Sequence, residues 1–187
     1  MANPDKPRGF TPVKHTSGAP WTGQVRTIGV TDGVDLFIGD ALNLESGLAA
    51  IGATNDTALL GVAVGFGKKA AMSNSKGTAF NPDNLSTTYY DDSASTHTDW
   101  VVYYVPFQDM IFEVQTAVDL SASGIGATCD LLATAGDTAT GRSKQEVTTS
   151  TNADFIIVER PDYPNNDATL VNERLYVQAV TAETAFK

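Results

Sequence analysis

The chain has 187 residues, with 22 Asp and Glu against 12 Lys and Arg, for a formal charge of −10. That balance argues against a nucleic-acid-binding domain, which carries a basic face. Apolar residues at 42% and charged residues at 18% exclude a wholly disordered chain, and no apolar run reaches the ~18 residues of a membrane helix.

The length suits one domain, or one domain with an arm. Met1 to Pro7 lack the apolar stretch of a secretory signal. Synthesis in a reducing cytoplasm, without export or a membrane, is therefore expected. The lone Cys129 allows no internal disulfide and sits in an apolar stretch, so it reads as a small buried hydrophobe.

The first part of the chain differs from the rest. Residues 1–30 carry Lys6, Arg8, Lys14 and Arg26 against Asp5 alone, a local charge of +3 that leaves −13 for the remainder. Pro4, Pro7, Pro12 and Pro20 fall in the same stretch. Prolines bias a chain toward extended conformations and remove backbone donors. Residues 1–24 therefore read as an extended arm that does not fold on itself, with Phe10 and Trp21 free to order on a partner.

Residues 25–187 read as a β domain. Gln24–Val30 alternates loosely and ends at the turn signal Thr31-Asp32-Gly33. Leu36–Ile38 and Ala41–Leu44 read as short strands separated by a Gly39-Asp40 turn or bulge. In Leu59–Phe66 the glycines suggest close backbone approach, as in a small barrel. Residues 67–99 are polar and read as a long excursion between two strong strands. Trp100–Val105 and Met110–Gln115 flank the break Pro106–Asp109 and are expected to form a hairpin. A short helix fits near Thr116–Leu120. Further strands are predicted at Asp130–Ala133, Glu146–Thr148, Phe155–Val158 and Leu175–Val180. The fold class is mainly β: a small barrel or sandwich with an extended N-terminal arm and a long polar loop excursion.

Catalytic chemistry finds little support. Gly61–Lys69 misses the phosphate-loop spacing by one residue and lies in a strand-like run. His97-Thr98-Asp99 lacks a nucleophile elbow to serve. General acid–base chemistry would fall on carboxylate pairs such as Asp91/Asp92, Asp109/Glu113 or Asp162/Asp167. No loop has the ligand spacing of an EF-hand. The expectation is a non-enzymatic binding module with no cofactor and no metal.

Several segments, taken in order, resemble one family. They are Ala2-Asn3-Pro4-Asp5, Gly9-Phe10-x-Pro12-Val13-x-His15, Gly18-Ala19-Pro20-Trp21-x-Gly23-Gln24, Gly39–Leu42, Gly61–Phe66, Ile111–Gln115, Arg160-Pro161-Asp162 and Asn172–Val177. The chain is similar to the capsid decoration, or cement, proteins of tailed bacteriophages, and the N-terminal block is the most distinctive part of the likeness. The resemblance implies a virion protein on the outer surface of the head, a homotrimer bridging neighbouring major capsid protein subunits against the pressure of packaged DNA. On that reading the arm makes the capsid contact, with Phe10 and Trp21 as apolar anchors and Lys6, Arg8 and Lys14 as electrostatic ones. The competing expectation is recognition of a host-surface glycan by Tyr89, Tyr90 and Trp100 as stacking platforms.

Overall fold

The computed structural model describes residues 2–54, 56–68, 89–93 and 97–186. Eleven strands fill these segments: β1 (Thr11–His15), β2 (Arg26–Gly29), β3 (Ala41–Glu45), β4 (Leu48–Ile51), β5 (Leu59–Lys68), β6 (Trp100–Pro106), β7 (Met110–Gln115), β8 (Thr128–Leu132), β9 (Glu146–Thr149), β10 (Phe155–Glu159) and β11 (Arg174–Ala179). They form two antiparallel sheets, in the orders β1-β7-β11-β10-β8-β9 and β2-β6-β5-β3-β4. The architecture is a β-sandwich, and the barrel alternative is not what forms. Helical turns among the described residues are two short 3-10 pieces, His97–Asp99 and Thr181–Glu183. The helix expected at Thr116–Leu120 is absent; Thr116 and Ala117 instead donate backbone N–H groups to Glu173 and Val147.

The five-stranded sheet is apolar on both faces. Along β5, Leu59 and Val62 join a core shared with the six-stranded sheet, built around Phe107, Phe112, Phe155 and Leu175. Leu60, Ala63 and Phe66 turn to a second core with Leu36, Leu42, Tyr90 and Val102. Small residues are needed where β5 meets β6. A Cβ on Gly61 would collide with the Val105 carbonyl and the Tyr104 ring, so the close approach expected from the glycines is present.

Two further expectations fail, each for a physical reason. β6 and β7 do not pair as a hairpin: β6 lies in the five-stranded sheet and β7 in the six-stranded one. Pro106–Asp109 is an arch that carries the chain from one layer to the other, with Phe107 buried at 1% exposure inside it. Local alternation cannot tell an arch from a turn, because both join two apolar strands.

The second failure concerns the arm. Residues 2–24 pack on the body instead of standing free. β1 pairs antiparallel with β7, Thr11 opposite Glu113 and His15 opposite Met110, with a bulge between Pro12 and Lys14 that accommodates the proline's missing donor. The chain then folds back, and His15 and Trp21 N–H groups donate to Ala19 and Val13. Upstream, the segment crosses the outer face of β7, where Arg8 meets Glu113 and the Lys6 N–H donates to Gln115. This cover explains why all six residues of β7 are buried, Glu113 and Gln115 included. Asn3 pins the beginning, exchanging hydrogen bonds with Asp167 and Val171.

Most of the polar excursion, 67–99, lies outside the described residues. At its far end Tyr90 pairs with Leu36, its hydroxyl donating to Asp92.

Candidate functional site

Several hollows border the N-terminal segment, and two of them take its charged and aromatic side chains. The first is a cleft of about 440 Å³ lined by Lys6, Arg8, Arg142, Lys144 and Arg174, with Pro7, Thr140 and Asp137. Five of the chain's 12 cations therefore converge on one place in a protein of charge −10.

Neutralisation inside the cleft is incomplete. Glu113, whose oxygen lies 2.6 Å from Arg8 and 3.7 Å from Arg174, serves two guanidinium groups at once. Lys144 stands 3.7 Å from Asp137. Neither Lys6 nor Arg142 forms an ion pair among the described residues. Counted against the two carboxylates that pair with them, Glu113 and Asp137, the five cations keep a surplus of three positive charges, which Asp5 and Glu146, both accepting from the Gln115 amide beside Lys6, reduce at that end of the cleft.

The cations stand on backbone that is tightly held. Residues 141–145 alternate, with Gly141, Ser143 and Gln145 buried and Arg142 and Lys144 exposed. Gln145 accepts the Ala41 N–H at 2.6 Å and donates to the Gly52 carbonyl at 3.0 Å. Ser143 donates its N–H to Ile38. Gly9, at φ 69, packs against Gly39 and Ser143 where a Cβ would collide, and that close contact brings Arg8 alongside residues 142–144. The Phe10 N–H donates to the Gly39 carbonyl at 2.8 Å, driving the next side chain inward.

Next to this cluster, Asp40 is fully buried. Burial is the leading influence on its carboxyl and pushes it up to about 6, against the lowering effect of Ser143 and the Phe37 N–H. At β11 of the six-stranded sheet Tyr163 shares a hydrogen bond with the Tyr176 hydroxyl, and that bond, more than burial, raises its phenol above the usual range.

The second hollow, about 320 Å³, is lined by His15, Trp21, Val25, Val105, Pro106 and Met110 among others. Trp21 is half-buried against the main core and donates its indole N–H to Gln24. Val25, at 45% exposure, leaves an apolar wall open to solvent.

The five residues expected to contact a partner thus separate. Lys6 and Arg8 line the basic cleft, and Trp21 lines the second groove. Lys14 lies outside that cleft, 2.8 Å from Glu159 and over the Tyr176 ring. Phe10 must be corrected: at 2% exposure it sits edge-on to Phe107 and against Phe155 in the chain's own core. An apolar side chain flanked by Gly9 and a strand finds its own hydrophobic core before a partner's. Arg142, Lys144 and Arg174 had not been singled out from the sequence. The usable signal was the alternation of Arg142 and Lys144 with Ser143 and Gln145; nothing local ties them to Lys6 and Arg8.

Of the aromatic residues considered as stacking platforms, Tyr90 is buried and edge-on to Trp100, and Tyr89 is stacked on Phe37 at 4.8 Å. His97 places Nδ1 3.0 Å from Asp32. Cys129 is buried, and burial pushes its thiol up to about 12. No group of three or more His, Cys, Asp or Glu among the described residues is placed to hold a metal ion. No described helix is long and apolar enough to cross a membrane.

The chain matches no family model, no curated protein and no solved structure.

Proposed function

We propose that this chain is a virion structural protein that binds the outer surface of a tailed-phage head. There it cements neighbouring major capsid protein subunits, as a homotrimer, against the pressure of packaged DNA. The observation that carries the reading is the fate of the N-terminal block, the part of the sequence most similar to decoration proteins. Its charged and aromatic side chains Lys6, Arg8 and Trp21 line two surface hollows, while its backbone is built into the sandwich.

The physics suits such a role. A cement acts through area and stiffness. Contacts presented by a sheet lose less entropy on binding than contacts on a loose arm. Repetition around a threefold axis multiplies modest contacts into strong retention.

Bare heads lacking this protein provide the test. Mixed with purified chain and pelleted, they should take it up to saturation, in a copy number that follows the shell lattice, and should then resist a higher temperature. Protein left wholly in the supernatant removes the reading. A few copies per head, as a fibre or spike would have, also removes it.

A further inference from the structure

We propose that the cleft between Lys6, Arg8, Arg142, Lys144 and Arg174 is a receptor for an extended, carboxylate-rich peptide segment of a partner protein. The inference rests on the reading of this face as a docking surface and adds the chemistry of what docks. Arg142, Lys144 and Arg174 become binding residues alongside Lys6 and Arg8.

Charge is the first argument. Five cations are gathered in one cleft with only Glu113 and Asp137 paired to them and with Asp5 and Glu146 confined to its Lys6 end, while the rest of the chain is strongly negative. Like charges crowded together repel, and an uncompensated cluster in an otherwise acidic protein persists at a cost to its own folding. A long polynucleotide would extend beyond the cleft onto the acidic remainder and be repelled there. A short acidic segment fits the cleft and avoids the rest.

Rigidity is the second. Buried polar side chains hold the cations' backbone: Gln145 to Ala41 and Gly52, Gln115 to the Lys6 N–H, and the Gly9 contact with Gly39. Buried amides fixed on both sides place surface charges in advance, so little ordering remains to be done on binding.

Spacing is the third. Arg142 and Lys144 are two residues apart with the intervening Ser143 turned inward. On extended backbone that puts two cations on one side, roughly 7 Å apart. An extended ligand with a carboxylate at every second residue has the same repeat. Guanidinium groups pair carboxylates through two parallel hydrogen bonds, and three of the five cations are arginines.

The test uses the full chain and a dye-labelled peptide, Glu-Gly repeated three times, followed by fluorescence anisotropy at low salt. Saturable one-site binding is expected, weakening steeply as salt rises. The exposed pair variant Arg142→Ala/Lys144→Ala should bind at least tenfold more weakly at a melting temperature no lower than that of the parent chain.

Four results would overturn the proposal: no saturable binding, equal binding of a Gln-Gly peptide, equal binding by the pair variant, or displacement by inorganic phosphate at concentrations equal to the peptide's. A charge-dependent rise in the wild-type mass in sedimentation, abolished in the pair variant, would assign the cleft to a second copy and also overturn it. The peptide assay needs no heads. Occupied heads with no peptide binding remove the cleft alone. Peptide binding with unoccupied heads removes the decoration reading alone.

Discussion

Asp130 and Asp40 are both buried carboxylates, and they respond to pH in opposite directions. Asp130 accepts hydrogen bonds from the backbone N–H groups of Thr151, Asn152 and Ala153 and from the hydroxyls of Ser150 and Thr151. Burial alone would raise its carboxyl, but those donors outweigh burial and hold it down at about 2. The stability it supplies is present above its ordinary value of 3.8 and lost as pH falls toward about 2. Asp130→Ala should cost about 3 kcal/mol at neutral pH, since it strands several donors of one tight turn, and chemical denaturation would measure it. Asp40 and Asp154 work the other way, each raised by burial from 3.8 to about 6. Well below 3.8 both folded and unfolded forms keep the proton. As pH climbs to 6 the unfolded carboxyls ionise first and stability declines. Asp40→Asn should flatten that decline, so urea unfolding of the variant should change less between pH 4 and 6 than that of the parent chain. Equal slopes would show that Asp40 does not titrate in this window.

At the scale of elements, the N-terminal segment supports the fold before it supports anything else. Phe10→Ala should cost about 3–5 kcal/mol, as for other fully buried aromatic rings. Trp21→Ala, which removes a partly buried ring packed on the main core, should lower the melting temperature less than Phe10→Ala does and should lower uptake by bare heads. Removing residues 1–24 takes away β1, Phe10 and the cover over Glu113 and Gln115, so calorimetry should find the truncated chain unfolded or strongly destabilised. Within β5, Gly61→Ala should destabilise by a few kcal/mol through collision with backbone. Gly65→Ala, whose added carbon would meet only Tyr103 at 3.6 Å, should be tolerated. The interior strands were legible because β-branched and aromatic runs announce buried strands. β1 was hidden by Pro12 and the surrounding prolines. β4, Leu48-Ala-Ala-Ile51, was hidden by its alanines, and only the Ser46-Gly47 turn before it marks the hairpin. Pairing was harder than strand position. Which sheet a strand joins depends on residues up to a hundred positions away, and that is why Pro106–Asp109 reads as a turn and is an arch.

For the whole molecule, the uneven charge was legible and its geometry was not. Lys6 and Arg8 stand out in a basic N-terminal stretch, whereas Arg142, Lys144 and Arg174 reach them only through folding. Lys14 belongs to the same stretch yet is engaged with Glu159. Lys14→Ala should therefore change uptake by heads less than Lys6→Ala, a comparison that co-sedimentation can make directly. The pairing of β1 with β7 also has a consequence in time. Thr11 lies opposite Glu113, and every strand of the second sheet is made between them. A ribosome adding ~5–20 residues per second needs roughly 5–20 s to cover that interval. For nearly all of it the rings of Phe107 and Phe155 that will bury Phe10 have not been made. β1 waits for β7 before it can pair, and Phe10 waits longer still, until Phe155 at the start of β10 completes its ring stack, an interval in which a chaperone can hold it.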